Sequence, residues 1–136
     1  MNIVIDTNIF ISALIKQDGL ARNIIINSGE SFLFPEYEFQ EIYKYKEEIL
    51  RKSGYSELEF IEAVSSLLHH MRIINYEEIL NYYNEAFEIM DKIDSDDIIF
   101  IATALTFNAV IWSDDAHFKI QNKIKCLTTK EIKTFL

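Results

Sequence analysis

Acidic side chains follow two predicted strands, at the points where those strands end. Asp6 comes directly after the apolar run 3–5, and Asp114 and Asp115 come after the run 109–112. The carboxyl ends of parallel strands meet at one edge of a sheet, and ligands bind beyond that edge. We therefore expect these carboxylates to lie close together, although Asp6 taken alone is equally well explained as the cap of the next helix.

Two predicted helices contribute further acidic candidates. Asp94, Asp96 and Asp97 precede the apolar run 98–107. The helix dipole favours one or two acids there, whereas three in four residues bring more repulsion than capping needs. Glu41 lies farther upstream, in a helix whose other acids read as a solvated face. Because it sits at the edge of that helix's apolar stripe, it is the acid expected to point inward.

The carboxylates expected to converge are Asp6, Glu41, Asp97 and Asp115. Four such charges within ~5 Å repel one another by several kcal/mol at an effective dielectric of about 20. The cluster is stable only with raised pKa values or with bound cations, and oxygen ligands favour Mg²⁺ or Mn²⁺ over Zn²⁺. Two such ions activate water and stabilise a leaving oxygen at phosphorus. The residues therefore predict metal-dependent phosphodiester hydrolysis.

Short β-rich runs alternate with longer helical patterns along the chain. The predicted strands lie at 3–5, 32–34, 72–74, 109–112 and 125–127. The predicted helices lie at 7–15, 20–27, 35–51, 56–70, 76–91, 96–107 and 130–135. This alternation predicts an α/β fold with a parallel sheet covered on both faces. With only one proline and three glycines in 136 residues, the chain offers no linker, so we expect one domain over 1–136.

The first two acidic positions resemble motifs of the PIN-domain ribonucleases, a family that includes the VapC-like toxins of toxin–antitoxin pairs. Residues 3–8, Ile-Val-Ile-Asp-Thr-Asn, resemble the first strand and D-T-N motif of that family. Pro35, followed six residues later by Glu41, is similar to the second motif. The resemblance thus assigns the first two metal-binding positions to Asp6 and Glu41.

The third and fourth motifs of the same family also have counterparts. Residues 94–97, Asp-Ser-Asp-Asp, resemble the acidic motif before a helix that ends in A-T-A-L, and the spacing selects Asp97. Residues 111–118 resemble the fourth motif, where the distance to Phe118 selects Asp115. The departures are Ser113 in place of the usual threonine and an acidic Asp114, which leaves the choice of ligand open.

The resemblance implies a three-layer α/β/α PIN-like domain around a central, mostly parallel sheet. It implies metal-dependent cleavage of RNA, with Mg²⁺ or Mn²⁺ bound and catalysis carried out by Asp6, Glu41, Asp97 and Asp115. Other residues are expected to orient these carboxylates or to serve as alternative ligands, and they are Thr7, Asn8, Asp94, Ser113 and Asp114. No protein nucleophile is expected.

Charge is distributed unevenly along the chain. The formal net charge is −9, which argues against binding nucleic acid through bulk charge alone. Residues 119–136 nevertheless carry five lysines and one glutamate, and Lys119, Lys123 and Lys125 are candidate RNA contacts, with ordinary surface lysine as the alternative. Several exposed-looking aromatics are either base-stacking residues or parts of a core or dimer interface, namely Tyr37, Tyr43, Tyr45, Tyr82, Tyr83 and Phe87.

The expected partners follow from the resemblance and from the apolar helix 56–70. That helix is a candidate contact for a second copy of the chain or for a cognate antitoxin, so a homodimer and an antitoxin complex are both expected. Cys126 is the only cysteine, no signal peptide is recognised, and no apolar run approaches the ~20 residues of a membrane span. We therefore expect a cytoplasmic protein without a membrane contact.

Two other functions compete with the nuclease. A PIN-like module that binds RNA or protein without cutting would share the fold, but the four acids speak against it because such a module would not need them. A phosphotransfer domain with Asp6 as the acceptor needs either a second aspartate two residues later or a lysine at a late strand end. Asn8 and Asp115 occupy those places.

Overall fold

The computed structural model describes residues 1–136 and contains one five-stranded sheet. The strands are β1 (Asn2–Ile5), β2 (Ser31–Pro35), β3 (Met71–Ile74), β4 (Val110–Trp112) and β5 (Cys126–Leu127). Their spatial order is β3-β2-β1-β4-β5, and every neighbouring pair is parallel. The predicted α/β class is confirmed, and so is the three-layer α/β/α arrangement.

Eight α-helices surround this sheet. They are α1 (Thr7–Ile15), α2 (Leu20–Asn27), α3 (Phe39–Lys44), α4 (Lys46–Ser53), α5 (Glu57–Leu68), α6 (Tyr76–Met90), α7 (Ile98–Phe107) and α8 (Thr129–Phe135). Helix α1 packs against α2, α4 and α5, whereas α6 packs against α7. None of the helices combines the length and the apolarity that a membrane crossing requires.

The helix predicted over 35–51 is interrupted. A 3₁₀ turn at Glu36–Glu38 leads into α3, and α4 begins only after Tyr45. The amide of Tyr45 bonds the carbonyls of both Glu41 and Ile42, so the hydrogen-bond pattern tightens at this point. The 3₁₀ turn directly follows β2, and it therefore brings the acidic residues of this segment to the end of the sheet.

The core consists of 35 buried hydrophobic residues in one cluster. Strand β1 is buried on both faces, as the uninterrupted apolar run Ile3–Ile5 predicts for a central parallel strand. Helix α7 is buried along its first seven residues, which agrees with its apolar character all around the helix axis. Burial of α7 fixes the position of the acidic turn before it.

The order in which strands are added to the sheet changes sides at β1. It fills one side of β1 with β2 and β3 and then returns to the other side with β4. The amide of Asp6 donates to the carbonyl of Trp112 over 3.2 Å, so the two strands remain paired to their ends. Such a switch point opens a crevice at the carboxyl end of a parallel sheet, where ligands bind.

Candidate active site

A cavity of about 750 Å³ opens at this end of the sheet. Seven carboxylate residues and no lysine or arginine are among its 17 lining residues. The acidic residues are Asp6, Glu38, Glu41, Asp94, Asp96, Asp97 and Asp115. The cavity therefore contains all four acids expected to be catalytic and attracts cations strongly.

Asp6 caps α1 and also faces the cavity, so the two interpretations of this residue are compatible. Its Oδ1 atom accepts the amide of Ile9 over 2.8 Å, and its Oδ2 atom accepts the hydroxyl of Ser113. Burial raises the pKa of Asp6 to about 6, although the bonds from Ser113 and Ile9 oppose that rise. The charges of Asp114 and Asp115 add to it.

Asp97 occupies the last position of the 3₁₀ turn Ser95–Asp97, immediately before α7. The residue is only 9% exposed, and its Oδ2 atom is buried without any hydrogen-bond partner. Burial is the main cause that raises its pKa to about 7; the charges of Asp94, Asp115 and Asp6 contribute to that rise, and His117 opposes it. An unpartnered buried carboxylate oxygen is costly, and a bound cation would remove that cost.

Asp97 belongs to a cluster of four side chains that could ligate a metal ion. One ligand atom from each of Asp94, Asp97, Asp115 and His117 lies within 4.8 Å of the others. Asp94 caps the 3₁₀ turn through its Oδ1 atom, and its Oδ2 atom lies 3.1 Å from Nδ1 of His117. Asp115 Oδ1 accepts the amide of His117 over 2.9 Å. Asp6 and Glu41 line the same cavity outside this group.

Ser113 connects the ends of β1 and β4. Its hydroxyl donates to Asp6 and accepts the amide of Asp115 over 2.9 Å, and the residue itself is buried. The side chain therefore positions two of the predicted ligands at once. A hydroxyl at this position is sufficient for both bonds, and serine supplies it in place of the usual threonine.

Asp114 lies outside the cavity. Its carboxylate accepts the amide of Thr129 over 2.7 Å and the hydroxyl of the same residue over 2.8 Å. The Thr129 hydroxyl in turn accepts the indole N–H of the buried Trp112. Asp114 thus attaches the start of α8 to the end of β4. Asp115, and not its neighbour, faces the cavity.

Glu38 is a buried carboxylate of the cavity that the sequence pattern did not single out. It is 7% exposed, and its Oε2 atom accepts the hydroxyl of Thr7 over 3.0 Å. Burial raises its pKa, the Thr7 bond lowers it, and the charges of Glu41, Asp96 and Asp6 raise it. The available signal was its position four residues before Ile42, because residues at that spacing share a helix face and Ile42 is buried.

The remaining predicted residues differ in their surroundings. Asn8 is exposed and lines the cavity. The Lys119 ammonium lies 2.6 Å from Glu131, and the Lys125 ammonium lies 4.5 Å from the ring centroid of Phe135. Of the three candidate lysines, only Lys123 has an ammonium with no such partner.

The sequence matches the profile of the PIN domain over residues 4–136. The chain is a PIN domain. Proteins of this family are typically nucleases. No curated protein matches the sequence. The crystal structure of VapBC2 from Rickettsia felis bound to a DNA fragment from their promoter contains a similar fold. Its matching chain has a TM-score of 0.70 and 17% sequence identity, covering 94% of this PIN domain and 98% of that chain.

The donor set of this PIN domain fits a hard divalent cation. Carboxylate oxygens dominate the cavity, and the buried Oδ2 atom of Asp97 lacks a hydrogen-bond donor. Oxygen donors of this kind suit Mg²⁺ and Mn²⁺, and the single imidazole of His117 is compatible with Mn²⁺.

Proposed function

We propose that this PIN domain is a ribonuclease that hydrolyses phosphodiester bonds with Mg²⁺ or Mn²⁺. The observation that supports the proposal is the unpartnered, buried Oδ2 atom of Asp97 beside Asp94 and Asp115. A carboxylate with no donor in such surroundings requires a proton or a cation. Burial is the main cause of the raised pKa values of both Asp6 and Asp97.

The proposed ligands are Asp6, Glu41, Asp97 and Asp115. A bound Mg²⁺ or Mn²⁺ would lower the pKa of water and neutralise charge that develops at phosphorus. Hydrogen bonds within the protein orient the carboxylates. Ser113 aligns Asp6 with Asp115, and Thr7 holds the Glu38 carboxylate at the wall of the cavity.

We also propose that this PIN domain is the toxin of a toxin–antitoxin pair. The similar fold occurs in a VapBC2 complex, so we propose that this chain also pairs with an antitoxin and acts in the cytoplasm. Leu58 and Ile61 of α5 are 64% and 59% exposed and lie one turn apart. This apolar pair is the proposed contact for a homodimer or for the antitoxin. Substitution of both by serine, followed by sedimentation of the protein alone and by co-purification with a candidate antitoxin, tests it.

The nuclease proposal is tested by incubating a mixed RNA pool with the full chain in Mg²⁺, in Mn²⁺ or in EDTA. We expect cleavage with either metal, none with EDTA, and none with Asp6→Asn. Asp114→Asn serves as the matched variant, because its carboxylate lies outside the cavity, and it should cleave like the parent. Cleavage by Asp6→Asn at the parent rate would overturn the assignment. RNA binding without cleavage by the parent would favour the non-catalytic module.

A further inference from the structure

Four tyrosines line the cavity beside its carboxylates. Tyr37 and Tyr45 come from the segment between β2 and α4, and Tyr76 and Tyr83 come from α6. The exposed fractions of Tyr37, Tyr45 and Tyr76 are 60%, 40% and 48%, and Tyr83 is half-buried. Two separate elements therefore present aromatic rings to the same acidic space.

Electrostatic attraction in the cavity does not favour an RNA chain without metal. Its lining contains seven acids and lacks any lysine or arginine, so RNA phosphates meet repulsion there. Lys119, one of the candidate RNA contacts, is paired with Glu131, which weakens its attraction for phosphate. Nucleobases, by contrast, are uncharged and present π-faces that stack on aromatic rings regardless of the base.

We propose that these tyrosines stack on unpaired nucleobases next to the phosphate that a cation at the carboxylates would hold, which makes them the residues that bind the bases of the substrate. The inference rests on the proposed function, because it names substrate-binding residues of the same site. Bases within a duplex have both faces covered, and they are not available to such rings. Single strands and loops expose those faces.

The geometry of α6 supports this arrangement. Tyr76 and Tyr83 are seven residues apart, close to two turns, and therefore project from one face of the helix. Their ring centroids are 5.8 Å apart with a 55° angle between planes, so neither ring covers the other face to face. Tyr82 is the adjacent residue and does not line the cavity, although it is 41% exposed.

The test measures binding of a short fluorescein-labelled RNA strand by anisotropy in Mg²⁺. All variants carry Asp6→Asn so that turnover does not interfere. Tyr37→Ala and Tyr76→Ala remove a cavity ring, whereas Tyr43→Ala and Tyr82→Ala remove exposed rings outside it as matched controls. Tyrosine-to-phenylalanine changes at the two cavity positions keep the ring. The same strand, annealed to its complement, supplies the duplex probe.

We expect each alanine variant in the cavity to bind the single strand roughly 5- to 150-fold more weakly. Phenylalanine variants and both controls should bind like the parent, and the duplex should bind more weakly than the single strand. Equal binding of the duplex would overturn the proposal. So would unchanged binding after Tyr37→Ala and Tyr76→Ala, or an equal loss with the phenylalanine variants.

Cleavage kinetics separate this inference from the proposed function. Without Asp6→Asn, the cavity alanine variants should raise KM and leave kcat near the parent value, because stacking binds the substrate without touching the reacting atoms. Cleavage with an unchanged KM would refute the stacking and leave the nuclease intact. Tyrosine-dependent RNA binding by a parent that never cleaves would support the stacking and refute the nuclease.

Discussion

Asp97→Asn should stabilise the metal-free protein at neutral pH, although it removes a proposed ligand. The Asp97 carboxylate is buried beside Asp94 and Asp115, and its pKa rises from 3.8 to about 7. The folded protein therefore keeps a proton that the unfolded chain releases. Between these two pKa values the folded state binds more protons, so stability falls as the pH rises.

The size of the expected change in the free energy of unfolding follows from the raised pKa of Asp97. A rise of about 3 pKa units corresponds to about 4 kcal/mol of lost stability above about pH 7, at 1.36 kcal/mol per unit. Asparagine has the same shape and no charge, and its amide donates to neighbouring carboxylates. Because part of the repulsion is shared with Asp94 and Asp115, we expect Asp97→Asn to gain about 2–4 kcal/mol at about pH 8. The gain should disappear towards about pH 4, where both proteins are neutral at this position.

Urea unfolding in EDTA at several pH values measures this difference. The parent should lose stability from acidic to neutral pH, and the buried Asp6 contributes to the same trend because its pKa is about 6. Asp114→Asn is the control, since its exposed carboxylate only adds to the rise in the pKa of Asp6, so its pH-dependent gain should be much smaller than that of Asp97→Asn. A lower stability of Asp97→Asn than of the parent at neutral pH, or the same difference at every pH, would contradict a buried Asp97 carboxyl with a raised pKa.

Three further predictions concern neighbouring residues. Thr7→Val removes the hydroxyl that Glu38 accepts, and it should lower stability by about 1–3 kcal/mol in urea unfolding and reduce kcat, whereas Thr7→Ser should restore both. Asp114→Ala should lower the melting temperature through the lost bonds to Thr129 while RNA cleavage continues. Lys123→Glu should weaken RNA binding and reduce the slope of log affinity against log salt by about 1, and an unchanged slope would remove this lysine from the RNA path.

The central part of the fold could be predicted because its elements are buried on all sides. The run 3–5 is apolar throughout, and the helix 98–107 is apolar except for Thr103 and Thr106. A central parallel strand and a helix buried over most of its length are the structures that bury such runs. The break at Tyr45 was not predicted. The break depends on where β2 ends, and the spacing of the apolar residues in that segment does not indicate this position.

The candidate site was predictable where acids follow strands. Asp6 and Asp115 lie in the cavity because the strand ends place them there, and Asp97 joins them because α7 is buried. The direction of Asp114 was not predictable, since its partner Thr129 is 15 residues away. Glu38 was overlooked among other acids of its segment because solvated charge is the ordinary interpretation of such a run.

The central claim is that the cavity carboxylates together hold a divalent cation, and calorimetric titration with Mn²⁺ and with Mg²⁺ tests it independently of any RNA. We predict binding by the full chain, binding at least about tenfold weaker with Asp97→Asn, and binding like the parent with Asp114→Asn. Proton release should accompany binding near neutral pH, because Asp97 must lose its proton to ligate. No heat of binding from the parent, or equal affinity of parent and Asp97→Asn, would contradict the account.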